Sequence, residues 1–95
     1  MEYQFSTKVV GVTFDNRQAY LSNIKENDKL TVLFEPNNPY DSNAIALLHN
    51  GNKIGYFSRK IAANLKPTNN IDVTVINITQ GGKNTYGCNI YVEVN

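Results

Sequence analysis

The sequence predicts an all-β fold: a small OB-like β-barrel of about six strands with two short helices. Three observations carry this. Short runs of β-branched and aromatic residues recur along the chain, and alternation with period two is cleanest from Ile71 to Ile78. Turn signals interrupt these runs at close spacing, Asn50-Gly51 being the strongest. The two helical patterns are too short and too few for the strand–helix–strand rhythm of a parallel sheet.

In chain order, residues 3–14, YQFSTKVVGVTF, read as a strand in which Gly11 marks a bulge or a close backbone approach. Residues 17–26 place Ala19, Tyr20 and Ile24 at helical spacing behind Asn16, a residue type that caps helices. Residues 30–35, LTVLFE, form a strand that Pro36 stops by withholding a backbone donor. Beyond the polar stretch 36–43, AIALLH and KIGYF make a hairpin about the turn Asn50-Gly51-Asn52, because Asn-Gly tolerates positive φ cheaply. Ser58 caps a helix over RKIAANL with Ile61, Ala62 and Leu65 on one stripe, and Pro67 closes it. A second hairpin follows, IDVTVINITQ and YGCNIYVEV, turning at Gly81-Gly82. Phe5, Phe34, Phe57 and Tyr91 fall where a strand face buries them. With 95 residues, 41% of them apolar, the chain suits one domain, 1–95, without repeat or linker.

Composition narrows the function. A lone cysteine, Cys88, forms no internal disulfide, and no apolar run approaches the length of a membrane span, so a soluble, cytoplasmic protein is expected. Net charge of +1 gives no global argument for a polyanionic partner. Its distribution says more: no acid occurs between Ser42 and Ile71, where Lys53, Arg59, Lys60 and Lys66 lie. Such a run permits a basic face.

Catalysis finds little support. One cysteine and one histidine, Cys88 and His49, fall short of the roughly four ligands of a zinc site and lie far apart for a nucleophile–base pair. Gly81-Gly82-Lys83 lacks the strand–loop–helix setting of a phosphate-binding loop. Glu35 and Asp41 sit in a proline-rich loop where carboxylates usually accept from backbone amides. No enzyme, cofactor or metal is expected. Binding is better supported, because Tyr40 stands between Pro39 and Asp41 outside any periodic run. A tyrosine so restrained has a ring ready to stack on a base, or else folds back as a lid on the barrel's end.

EPNNPYDSNAIAL, residues 35–47, followed by KIGYFSRKIAANLKP, residues 53–67, closely resembles the HIRAN domain, of the free-standing bacterial or phage-like kind. VVGVTF, residues 9–14, is similar to that family's first core strand, so the resemblance spans residues 8–67. It implies an OB-related barrel without catalytic activity that binds single-stranded DNA at a 3′-hydroxyl end, in repair, replication or mobile-element processing. A helicase or nuclease is the implied partner enzyme, and no membrane is involved. By matched position, Asp41 would accept from the terminal 3′-hydroxyl, while Asn38 and Tyr40 contact the terminal nucleotide. Phe14 would stack on a base, Tyr56 would stand where the family often has histidine, and Arg59, with Lys60 beside it, would meet the backbone. Two departures stand out: Thr13 occupies a position that is basic in DNA-end-binding members, and Asp15 follows Phe14. The alternative is a protein-interaction module, phage- or mobile-element-encoded, docking on a nuclease or replication protein through Tyr20, Tyr40 and Tyr56.

Overall fold

The computed structural model describes residues 2–81 and 85–95. Six strands and two short helices follow in the order β1 (Tyr3–Lys8), α1 (Arg17–Leu21), β2 (Lys29–Phe34), β3 (Ile45–His49), β4 (Asn52–Tyr56), α2 (Arg59–Ala62), β5 (Ile71–Gln80) and β6 (Tyr86–Val94). The strands form one antiparallel sheet, β1-β6-β5-β2-β3-β4, curled into a half-barrel. Ile45, Leu47, Ile54, Val73, Ile90 and Val92 are all but inaccessible and fill its interior.

The two edge strands meet through the segment after β1. Val9 N–H donates to the Cys88 carbonyl of β6 at 2.9 Å, while Val10 exchanges a pair of 2.9 Å hydrogen bonds with Tyr56 of β4. The chain thus changes partners between two adjacent residues and stitches one end of the sheet shut. Consequently the first strand stops at Lys8 rather than running to Phe14. Gly11, at φ +70°, turns the backbone away, and an added Cβ there would lie 3.2 Å from an Arg17 nitrogen, the close approach its presence in the pattern suggested.

Both helices are shorter than their patterns predict. α1 ends at Leu21, where Ser22 and Asn23 donate side-chain hydrogen bonds back to the Ala19 carbonyl, so Ile24 reaches the core from a turn. Ala19 and Tyr20 face outward; the buried stripe is Arg17, Leu21 and Ile24. Asn16 contributes its carbonyl, not its side chain, to the helix start. Ser58 does cap α2, its hydroxyl accepting from Ile61 N–H, but the helix stops at Ala62 and Leu65 is buried from the turn beyond. Phe57 is core, Phe5 and Phe34 are partly buried against it, and Tyr91 alternates to the face opposite Ile90 and Val92.

The Asn50-Gly51 turn has positive φ at both residues, +51° and +83°, as its sequence predicts. Gly82 and Lys83 of the other expected turn lie outside the described residues; β5 and β6 pair up to Gln80 and Tyr86 on either side. Among the described residues no helix is long and apolar enough to cross a membrane, and no three metal-ligating side chains gather.

Candidate functional site

The polar stretch between β2 and β3 is a built loop. Glu35 N–H donates to the Ala44 carbonyl at 2.9 Å, pinning its two ends together. Inside it, the Asn38 side-chain oxygen accepts from the N–H groups of both Tyr40 and Asp41, at 2.9 and 3.1 Å. Asp41 Oδ1 accepts from Asn43 N–H at 2.9 Å. Asparagine and aspartate are the residue types that stabilise turns in this way, and the two prolines restrict the remaining freedom. The sequence order of this loop is therefore a folding instruction as well as a surface.

Beneath the loop lies a polar cluster. Glu35 accepts from Asn38 Nδ2 (3.0 Å) and from the Tyr56 hydroxyl (2.7 Å) on one oxygen, and pairs with Lys53 Nζ at 2.6 Å on the other. Lys53 also donates to the Tyr56 hydroxyl at 2.8 Å. Burial pushes the Glu35 carboxyl up, but the bonds from Lys53, Tyr56 and Asn38 outweigh it and hold the group below its usual value of 4.5. Lys53 is correspondingly held above 10.5, chiefly by its bonds to Glu35 and Tyr56. The cluster locks the loop to β4 and commits the Tyr56 hydroxyl to the protein.

Loop, closing segment and α2 together surround an open hollow of about 750 Å³. Phe14, Asp15 and Arg17 come from the segment after Val10; Asn38, Tyr40 and Asp41 from the loop; Tyr56 from β4 and Arg59 from α2. Six of the seven residues singled out in the sequence thus converge on one concavity. Lys60, next to Arg59 on α2, is exposed and does not line it.

Tyr40 is 84% exposed and Phe14 64%, so two large rings stand open to solvent on the hollow's wall, contributed by different segments. Tyr40 is no lid. The loop is tied to α2 by Arg59, which donates to the Tyr40 carbonyl at 3.1 Å. Asp41 is partly buried, and among the described residues its Oδ2 accepts no hydrogen bond. Asn38 lines the wall with its oxygen already accepting twice, so its part in the hollow is largely to hold Tyr40 and Asp41 in place.

Sequence reasoning missed Arg17. It is the one charged residue in the buried set among the described residues, 8% exposed. Its guanidinium lies 5.2 Å from the Tyr56 ring centroid and 5.9 Å from that of Phe14, and it donates to the Gly11 carbonyl at 2.6 Å. The signal was available: Arg17 stands four and seven residues before the apolar Leu21 and Ile24. With two arginines and two aspartates on its wall, the hollow is formally neutral.

Fold and site together define a class: a small antiparallel half-barrel whose inter-strand loop, stiffened by prolines and asparagines, walls an aromatic-rimmed hollow at the seam. Comparison with known proteins gives that class its family. The chain belongs to the HIRAN domain family, whose model matches residues 3–95 and so takes in the last hairpin beyond the motif-bearing span. It is 40% identical over 57 residues to Helicase-like transcription factor of Mus musculus and 40% over 58 residues to that of Oryctolagus cuniculus. These stretches cover 59% and 60% of this chain but 5% of each relative, so the chain spans a small fraction of their length. The crystal structure of the HIRAN domain of human HLTF superposes with a TM-score of 0.69 at 24% identity, covering 96% of this chain and 74% of that one. A crystal structure of a protein from Lactobacillus plantarum gives 0.68 at 19% identity over the whole of both chains. At such identities the likeness is one of fold.

Proposed function

We propose that this chain is a non-enzymatic DNA-binding module whose hollow receives the 3′-hydroxyl end of single-stranded DNA. One observation carries the reading: a carboxylate oxygen, Asp41 Oδ2, that has no donor among the described residues, in a hollow flanked by two exposed rings. A terminal hydroxyl donates to that oxygen in a short, charge-assisted hydrogen bond. Phe14 and Tyr40 stack on bases, a contact worth about 1–3 kcal/mol per base that tolerates any sequence. Arg59, already bonded to the Tyr40 carbonyl, meets the backbone, and Lys60 adds a screened attraction from outside the hollow. Tyr56 offers its ring, since its hydroxyl is held by Glu35 and Lys53. Membership in a family whose relatives include helicase-like proteins supports a helicase as the enzyme this module serves, with a nuclease as the other candidate.

Fluorescence anisotropy with short oligothymidines ending in a 3′-hydroxyl or a 3′-phosphate tests the reading. A second negative group about 4 Å from a carboxylate costs roughly 1–4 kcal/mol at effective dielectrics between water and a protein surface, so the phosphate weakens binding about tenfold or more. Asp41→Ala removes the difference between the two ends. Equal affinities in the unaltered protein sink the proposal. The formal neutrality of the hollow favours a second reading, a protein-interaction module anchored by Tyr20, Tyr40 and Tyr56, of which the first two are exposed. That reading expects no oligonucleotide preference, with a host nuclease or replication protein retained in pull-down and lost on Tyr40→Ala.

A further inference from the structure

Arg17 is a buried cation held by two ring faces and one carbonyl, and among the described residues its carboxylate partner is distant and exposed. Burying a guanidinium is costly unless acceptors satisfy its N–H groups and an anion balances its charge. Here one nitrogen donates to the Gly11 carbonyl at 2.6 Å, and another reaches Asp15 Oδ2 only at 3.5 Å. The imbalance shows in exposure: the Arg17 side chain is 10% exposed and that of Asp15 82%. A carboxylate so hydrated, at so long a distance, contributes little. Among the described residues most of the guanidinium's donors have no protein acceptor.

The position of this cation gives the imbalance a direction. Arg17 and Asp15 line the 750 Å³ hollow and also a second, polar hollow of about 280 Å³ walled by Asn16, Tyr20, Asn52 and Lys53. A nucleotide chain passing from one to the other must carry a phosphate past the guanidinium. A phosphodiester presents two acceptor oxygens at ordinary length, matching a fork that now has one distant carboxylate oxygen.

We propose that Asp15 is a stand-in for a phosphate: its carboxylate holds the place beside Arg17 that the last internucleotide phosphate of the bound strand takes over, and Arg17 is the residue that grips that phosphate. This rests on the reading of the hollow as a DNA-end site. It turns an acid on the binding face from an obstacle into a displaceable placeholder, held by a long and exposed contact that is easily broken. The exchange is an intrinsic competition: the carboxylate swings into water as the phosphate arrives, so affinity is lower than the hollow's contacts alone would give.

Asp15→Asn tests this without disturbing the turn. Asp15 has φ +56°, in the left-handed region that asparagine adopts as readily as aspartate, so the fold is retained where alanine would strain it. A thermal melt within a degree or two of the parent confirms that retention. Binding is measured by anisotropy with two six-residue oligothymidines bearing a 3′-hydroxyl, one natural and one carrying a neutral methylphosphonate at the last internucleotide position. Removing both the competing contact and the repulsion between carboxylate and phosphate is expected to tighten binding of the natural strand about fivefold. The methylphosphonate strand binds the unaltered protein more weakly and gains nothing from the substitution. If the natural strand binds but Asp15→Asn leaves its affinity unchanged or lower, or if the neutral linkage costs nothing, the placeholder is refuted while the DNA-end reading stands. If neither strand binds the unaltered protein, both fall together.

Discussion

Gly55 sits where the barrel closes and the hollow begins, and replacing it with alanine probes both. A Cβ at this position would lie 2.4 Å from a Val9 methyl, 2.6 Å from the Val10 carbonyl oxygen and 3.4 Å from a Val12 methyl. Ordinary contacts of this kind are about 3.5–4.0 Å, so something must move by more than an ångström. Val9 is 2% exposed and β-branched, with one packed rotamer and nowhere to turn. Moving the Val10 carbonyl breaks its 2.9 Å hydrogen bond from Tyr56 N–H and strains the reciprocal bond to the Tyr56 carbonyl. Overpacking costs about 1–3 kcal/mol and the two seam bonds about 1 kcal/mol each, giving a loss of roughly 3–5 kcal/mol. Against a typical domain stability of about 5–15 kcal/mol that is a large share, and the midpoint of thermal unfolding falls by more than about 10 °C. The chain has no tryptophan, so circular dichroism in urea is the suitable readout. Gly51→Ala is the control: nothing lies within 4 Å of its Cβ, only φ +83° opposes it, and it should cost about 1 kcal/mol. If Gly55→Ala unfolds at the same urea concentration as the parent, or no lower than the Gly51 variant, the close approach at the seam is wrong.

Two further outcomes follow from groups around the core and the loop. Because Glu35 is held below 4.5 in the folded state, its contribution to stability is complete above that value and is lost as pH falls through the depressed folded value. Lys53, raised above 10.5, contributes fully below that value and loses its part as pH rises beyond it. Glu35→Gln should therefore flatten the acid limb of the stability–pH curve, and a variant whose curve runs parallel to the parent's as pH falls below 4.5 speaks against the cluster. Burial pushes the Cys88 thiol up to about 11, and the side chain is inaccessible, so the native protein should resist thiol reagents near neutral pH and react only once denatured. Rapid native labelling would place Cys88 outside the core.

What the sequence determined by itself is what neighbouring residues decide among themselves. Asn50-Gly51 makes its turn because two adjacent residues accept positive φ, Ser58 caps α2 because its hydroxyl reaches three residues on, and the loop from Glu35 to Ala44 is held largely by side chains bonding backbone a few positions away. The convergence of Phe14, Asn38, Tyr40, Asp41, Tyr56 and Arg59 was legible through the family resemblance, since no local rule brings residues so far apart to one hollow. Tertiary structure alone decided the rest. Where β1 stops depends on Val10 finding Tyr56, the length of α1 on a turn that lets Ile24 reach the core, and the only partial burial of Tyr91 on a pairing register that puts Ile90 and Val92 inside. Arg17 is the sharpest case: its spacing marks it for the buried stripe, but only the rings of Phe14 and Tyr56 and the Gly11 carbonyl, brought up by closure of the sheet, make a buried cation tolerable there. Short-range hydrogen bonds and turn preferences are written in adjacent residues; burial and charge balance depend on partners that only long-range strand pairing brings within reach.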